Sequence, residues 1–303
     1  MLRWESHAMF VNRALIHLGV LAILAGLVIP VRADSGDKIR VVIIDGQNNH
    51  DWRSTTPVMK KALEDSGKFA VDVSSNLKQG DKPGKIGPTV PFPPDLSKYQ
   101  VVLSNYNGAH WPDKFQQQLE AAVKSGKLGL AIVHAANNAF SGWNEYNLMI
   151  GMGWRNKQGG ERLALDDNGK EVRVLSGMGD NSGHRYVGPF QIVVRDADHP
   201  ITRGMPREWL HSRDELYDNM RGPLDSVHLL ATAYSSGPKG THLHEPMIWT
   251  VAYGSGRIFH TPMGHDVNAM QCVGFVTTLL RGTEWAATGK VTIPIPAGFP
   301  GPK

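Results

Sequence analysis

Lys38–His50 reads KIRVVIIDGQNNH and continues into Asp51-Trp52-Arg53. Ile39–Ile44 is a short run of β-branched residues, which suits a strand buried on both faces. The run stops at Asp45-Gly46. After a polar stretch, Ser54–Gly67 carries Val58, Ala62 and Leu63 at helical spacing. This is a strand–loop–helix unit opening an α/β domain. In such sheets ligands bind outside the carboxyl ends of the strands, so His50 and Asp51 stand where chemistry is expected.

The same pattern recurs downstream. Phe69–Ser75 reads as a second strand. Lys78–Leu96 is crowded with Pro and Gly and reads as a long surface loop. Tyr99–Ser104 is a third strand, ending at Asn105-Tyr106-Asn107-Gly108. Pro112–Ser125 is a helix with Phe115, Leu119, Ala122 and Val123 on one face and Gly126 after its end. Leu128–Val133 is a fourth strand, ending at His134. Repeated strand-then-helix units predict a parallel sheet with crossover helices.

Gly151–His184 is Gly-rich and interrupted, with one strand candidate at Glu171–Leu175. Phe190–Arg195, Val227–Tyr234, Met247–Tyr253 and Gly256–His260 read as further strands. Asn268–Arg281 reads as a closing helix that turns Cys272, Phe275, Val276, Leu279 and Leu280 inward. Ile293–Lys303 is a Pro-rich, extended tail. We find no internal repeat.

The first 33 residues stand apart. Arg3 and Arg13 precede an apolar run, Ala14–Ile29, shorter than the about 20 residues a spanning helix needs. Val31 and Ala33 hold the small-residue positions of a signal-peptidase site. This predicts a cleaved signal peptide, residues 1–33, a periplasmic or secreted protein and no stable membrane span after cleavage. The domain is expected at 34–290 and the tail at 291–303. The whole chain has 32 basic and 28 acidic residues, net +4. Removing Arg3, Arg13, Arg32 and Glu5 leaves 29 basic and 27 acidic, net +2. With no dense basic run, nothing argues for nucleic acid. Cys272 is the only cysteine, so no disulfide closes within the chain, and a thiol nucleophile could only be Cys272.

Polar groups gather at four strand ends: His50-Asp51, Asn105–Asn107, His134 and His265-Asp266. Neutral imidazole binds metals and titrates near neutral pH. His50, His134 and His265 are therefore candidate catalytic residues and ligands for a divalent metal, zinc or similar. Asp214 and Glu215 offer carboxylates as ligands or general bases, against the plainer reading of a surface turn paired with Arg213. His242 and His244 could chelate at i, i+2 in an extended segment, but they follow a Gly/Ser loop. No Walker motif, no GxGxxG between strand and helix and no G-x-S-x-G elbow occurs. Trp52, Tyr106, Trp111, Trp143, Trp154 and Tyr217 lie near the polar clusters. Aromatic faces beside amides and carboxylates suit a sugar, although many large aromatics serve the core. Asp51, Trp52, Asn105, Tyr106, Asn107, Trp111, Trp143, Tyr217 and Asp266 are accordingly candidates for substrate binding.

The ordered blocks HDWRSTTPV (50–58), YQVVLSNYNG (99–108), GLAIVHAANNAF (129–140), Trp143-x-Glu145-Tyr146, DHPIT-x-G (198–204), DELY (214–217), PMIWT-x-x-YG-x-GRIFH-x-x-x-GHD (246–266) and RGTEWAATG (281–289) resemble the ThuA-like family, named for trehalose utilisation. The resemblance spans Ile39 to Gly289. It implies a flavodoxin-like sheet related to class I glutamine amidotransferases, with helices on both faces and elaborated loops, and a link to sugar metabolism. Amidotransferases of that class carry a cysteine nucleophile on a sharp turn after a central strand. The comparable strand here leads to His134-Ala135-Ala136, so Cys-dependent glutaminase chemistry is not expected. The expected activity is hydrolysis or elimination on a carbohydrate, a keto-sugar or disaccharide, with metal assistance. The alternative is a non-catalytic sugar-binding or assembly component, which needs neither metal nor a titrating pair.

Overall fold

A computed structural model describes residues 38–302. The expected signal peptide lies outside the described residues. Strands β1 (Ile39–Gly46), β2 (Phe69–Asn76), β3 (Val101–Ser104) and β4 (Gly129–Val133) alternate with helices α1 (Trp52–Asp65) and α2 (Asp113–Lys124). A 3-10 turn, His134–Asn138, and helix α3 (Asn144–Ile150) follow. The middle of the chain is all strand: β5 (Glu161–Leu165), β6 (Glu171–Val174), β7 (Gly183–Val194), β8 (Glu208–Asp218), β9 (Arg221–Gly222), β10 (Val227–Tyr234), β11 (His244–Tyr253) and β12 (Gly256–Thr261). Helices α4 (Val267–Met270) and α5 (Val273–Thr288) close the domain.

The sheet runs β2-β1-β3-β4-β12-β11-β10-β7-β8. Its first five strands pair in parallel, in the 2-1-3-4-5 order of flavodoxin-like folds. The rest is antiparallel: β12–β11, β11–β10, β10–β7 and β7–β8. The sheet is thus mixed, where strand–helix repeats alone predict a parallel one. No helix lies between β5 and β12, and antiparallel neighbours need no crossover helix. Strands β5, β6 and β9 form a flap on β11.

The inner parallel strands β1, β3, β4 and β12 are buried on both faces, while the edge strand β2 exposes Ala70. On one face Val41 and Ile43 pack with Met59 and Leu63 of α1 and Phe275 and Leu279 of α5. On the other, Val42 and Ile44 pack with Phe115 and Leu119 of α2 and Tyr146 and Met149 of α3. Helices therefore cover both faces. Asp51 caps α1, its carboxylate accepting the Ser54 N–H at 3.2 Å, so the helix begins two residues before the expected Ser54.

The closing helix departs from expectation. Asn268–Arg281 is two helices, α4 and α5, and Cys272 is the residue before α5 rather than a mid-helix core position. Helix α5 then runs on to Thr288 and ends at Gly289, whose φ of +75° is the left-handed stop glycine adopts readily. The tail is extended and anchored: Ile293 is buried, Phe299 packs edge-on against Trp209, and the Leu210 N–H donates to the Gly301 carbonyl at 2.9 Å.

Candidate functional site

Three parallel strands and one antiparallel strand deliver side chains to one point. His50 comes from the loop after β1, His134 from the turn directly after β4, and His265 from the segment after β12. Glu215 projects from β8. One ligand atom from each of His50, His134, Glu215 and His265 lies within 4.8 Å of every other. His50 Nε2 and His134 Nε2 are 3.3 Å apart, His265 Nδ1 and Glu215 Oε2 3.1 Å, and His134 Nε2 and Glu215 Oε2 3.9 Å. Donors bound at 2.0–2.1 Å to a tetrahedral zinc lie roughly 3.3 Å from one another.

The surroundings orient these groups. His134 Nδ1–H donates to the Pro262 carbonyl at 2.7 Å, which leaves the Nε2 lone pair facing the cluster. Asn48 Oδ1 accepts the His50 backbone N–H at 2.9 Å and stands 3.3 Å from His50 Nδ1. Asn48 in turn donates to the Asn105 carbonyl, and buried Asn105 donates to Thr55 and Thr56. Burial, then the neighbouring imidazoles of His134 and His265, pushes His50 down to about 3. Burial also lowers His134, against the pull of Asp214. Both rings are neutral at pH 7, the form that ligates a cation. His265 Nδ1 is buried and has no hydrogen-bond partner, although it faces the Glu215 carboxylate. An orphaned acceptor aimed at a carboxylate fits a cation between them.

Asp214 and Glu215, adjacent in sequence, part company here. Neither belongs to a surface turn; both are in β8, so alternate residues face opposite sides. Glu215 enters the cluster. Asp214 is buried behind it, accepting the Gly264 and His265 backbone N–H groups at 2.7 and 3.1 Å and pairing with His211 Nε2 at 2.8 Å. Asp214 therefore sets the loop that carries His265. Burial pushes Asp214 up, but His211 outweighs it and holds the carboxyl below its ordinary value. Burial likewise pushes His211 down, while Asp214 and Cys272 together bring it up to about 9. Cys272 is half-buried beside His211. Burial raises its thiol, His211 lowers it more, and the result is about 7. The expectation that Cys272 turns inward from the middle of a helix is thus corrected: the helix break before α5 puts the sulfur next to a buried imidazolium.

The predicted substrate-binding residues divide. Tyr217 is in the site: its hydroxyl lies 3.1 Å from His134 Nε2 and its ring 4.7 Å from that of His134. Trp52 and Asn107 line a neighbouring cavity that meets the cluster at Asn49. Asn105 is a buried support. Tyr106, Trp111 and Trp143 are corrections. All three are buried in one aromatic core cluster with Phe115 and Phe140: Tyr106 and Trp111 come from the loop between β3 and α2, and Trp143 is the residue before α3. Asp51 and Asp266 are helix caps, the latter accepting the Ala269 N–H at 2.8 Å. His242 and His244 do not converge with them; Glu245 is wholly buried against Arg162.

Sequence reasoning passed over Asn49, Asn138 and His184, which line the cleft with His50, Trp154, Glu215, Tyr217 and His265. His184 Nε2 lies 3.7 Å from Glu215 Oε1. The alternation in Gly183–Val194 could have shown it as a strand residue, but the flanking glycines hide the strand's start.

A comparison with curated proteins finds no match. Among solved structures, the chain is similar to a ThuA-like protein of Parabacteroides merdae, with 42% identity over 87% of this chain and 95% of that one and a TM-score of 0.79. A ThuA-like protein of Bacteroides uniformis shares the fold at 15% identity, covering 86% and 96% of the two chains, with a TM-score of 0.55. The ThuA family model, described as trehalose utilisation, matches residues 40–286, and on that match and the first of these relatives the chain belongs to the ThuA family.

Proposed function

We propose that this chain acts on a carbohydrate and does so with a divalent cation held by His50, His134, Glu215 and His265. The family's description supports a carbohydrate role. The observation that carries the metal reading is the convergence of four donor atoms within 4.8 Å, with the His134 tautomer fixed by Pro262. A cation there would polarise a sugar oxygen or lower the pKa of a bound water.

The protein's own side chains supply the rest. Asn49 and Asn138 offer amides at the cleft wall, and Trp154 and Tyr217 offer ring faces to sugar C–H groups. His184, 43% exposed beside Glu215, is the imidazole placed to take or give a proton at its Nε2. The reaction class that fits is hydrolysis or elimination at a sugar carbon. The test is metal analysis of protein purified without chelator, together with turnover of keto-sugars and disaccharides. A stoichiometric ion lost in His134→Ala, with turnover lost in parallel, supports the reading. Turnover that survives exhaustive chelation overturns it. Sugar binding with neither a stoichiometric ion nor turnover favours the sugar-binding component instead.

We also propose export, with removal of residues 1–33. The Arg-flanked apolar run and the Val31-Arg32-Ala33 site support it. Among the described residues no helix is long and apolar enough to cross a membrane. Sequencing the amino terminus of the native protein tests this; a retained Met1 rejects it.

A further inference from the structure

Beside the cation cluster lies a second cavity of about 600 Å³, a size that holds a small ligand by itself. Asn138 and Trp154 line both it and the cluster's own cleft. Arg155 is the one charged residue on its wall, and no carboxylate lines it.

Arg155 is 6% exposed and, among the described residues, has no carboxylate partner. Its Nε–H donates to Asn147 Oδ1 at 3.0 Å. Its Nη1 donates to the carbonyls of Asn137, Asn138 and Trp154 at 3.1, 3.1 and 2.9 Å, and its Nη2 to that of Ala139 at 2.7 Å. These partners are neutral dipoles. They fix the guanidinium in place, but none carries the charge that would balance it. Burial pulls Arg155 below its ordinary value, and only the Tyr146 hydroxyl opposes the shift. A guanidinium nevertheless stays protonated in a protein, so the cavity is positive. Buried charges are ordinarily paired, because leaving one unbalanced is costly. An Nη group carries two hydrogens, and Nη2 has one acceptor, so one N–H remains for a ligand.

The rest of the wall adds neutral donors and an orphaned acceptor. Asn156 and Asn181 accept the backbone N–H groups of Gln158 and Lys157 through Oδ1 at 3.1 and 2.8 Å, which turns their amide nitrogens elsewhere. Asn138 Oδ1 is buried and has no hydrogen-bond partner, so it suits a sugar hydroxyl. One guanidinium among neutral amides balances one negative charge. A carboxylate carries one; a phosphate monoester carries nearly two at pH 7 and would stay under-compensated.

We infer that this cavity is a subsite for the carboxylate of a uronate residue, with Arg155 as its counter-charge, in a saccharide that reaches the cation cluster past Trp154. The inference rests on the carbohydrate reading above and adds a charge that the family's description leaves open.

Calorimetric titration with glucuronate, galacturonate, their neutral uronamides, glucose 6-phosphate and trehalose tests it. At least one uronate is expected to bind tenfold or more tighter than its uronamide, which is about 1.4 kcal/mol. The preference is expected to persist after EDTA treatment and dialysis, since a carboxylate that merely ligated the cluster's cation would lose it. The double variant Asn156→Asp, Asn181→Asp keeps an oxygen for the Gln158 and Lys157 N–H groups and makes the wall negative. It is expected to weaken the uronate at least tenfold and the uronamide less than threefold, with metal content unchanged. Arg155→Gln is expected to abolish the preference. It also breaks bonds to Asn137, Asn138 and Ala139, so the wall variant decides where it fails to fold. Equal affinities for uronate and uronamide, a preference that vanishes with the metal, a silent wall variant, or tighter binding of glucose 6-phosphate than of either uronate overturns the subsite and leaves the carbohydrate reading standing. Binding of trehalose alone does the same. Binding of none of these sugars overturns both.

Discussion

Acidifying the metal-free protein tests a buried imidazole of the sheet core. His260, in β12, is wholly buried and packs on Trp249 with ring centroids 3.9 Å apart. Its Nδ1–H donates to the Ile150 carbonyl at 3.1 Å, and its Nε2 accepts from Asn137 Nδ2 at 3.0 Å. The Asn137 amide cannot turn over, because its oxygen accepts the Trp154 backbone N–H at 2.6 Å. Both ring nitrogens are thereby committed to the neutral form, and a second ring proton would face an N–H₂ group. Burial pushes His260 from its ordinary 6.5 down to about 3. Because the folded value lies below the unfolded one, the unfolded chain takes up the proton first as pH falls. The stability due to the neutral ring is complete above pH 6.5 and is lost between 6.5 and about 3. A difference of 6.5 minus 3, roughly 3.5 units at about 1.4 kcal/mol each, amounts to about 5 kcal/mol. Down to pH 4.5 the loss from His260 alone is about 3 kcal/mol. His50 and His134, both lowered, act in the same direction. Urea unfolding in EDTA at pH 7, 6, 5 and 4.5 measures this. His260→Gln keeps a donor and an acceptor but cannot titrate. It is expected to be less stable than the parent at pH 7, having lost the ring packing, yet to lose stability with acid more slowly by about 1.4 kcal/mol per pH unit. Parallel acid slopes for the two proteins would refute the argument.

Asp214→Asn leaves the four cluster donors in place but weakens the bonds that set the His265 loop; metal affinity is expected to fall 10–100-fold by equilibrium dialysis, as for other outer-shell supports. The same substitution removes the charge that keeps His211 protonated, so the Cys272 thiol should rise from about 7, read as slower alkylation by iodoacetamide at neutral pH. In the parent protein the alkylation rate should climb through pH 7 as thiolate forms, while Cys272→Ala, remote from the cleft residues, should leave sugar binding and metal content unchanged. Gly129→Ala would place a Cβ 2.2 Å from the Ala286 carbonyl oxygen of α5, and is expected to cost at least about 1–3 kcal/mol in thermal or urea unfolding.

The parallel half of the fold was legible because its strands are short apolar runs and its helices carry a clear apolar face. Ile39–Ile44, Leu128–Val133 and the Phe115–Leu119 stripe can scarcely be read otherwise. The convergence of His50, His134 and His265 followed from topology, since parallel strands bring their carboxyl ends to one edge. Glu208–Asp218 was illegible as a strand. Its buried members include His211 and Asp214, which satisfy each other inside, so polar letters conceal an interior segment. Tyr106, Trp111 and Trp143 misled for the opposite reason: proximity in sequence to polar clusters says nothing about which side of the sheet edge a ring falls on. The split between α4 and α5 was hidden because apolar spacing continues across Gln271-Cys272, and only backbone geometry reveals the break.

His134 has a φ of +42°, in the left-handed region that costs a non-glycine residue about 1–2 kcal/mol. It is the first residue past β4, so the strand ends and the chain turns sharply at that very atom. The backbone, rather than a choice among rotamers, thus dictates where the side chain leaves the chain. Chemistry at this apex is exchangeable while direction is not. A ring nitrogen, a thiol or a carboxylate installed at this turn would be launched toward the same patch of cleft, and one scaffold can change reaction by replacing one letter.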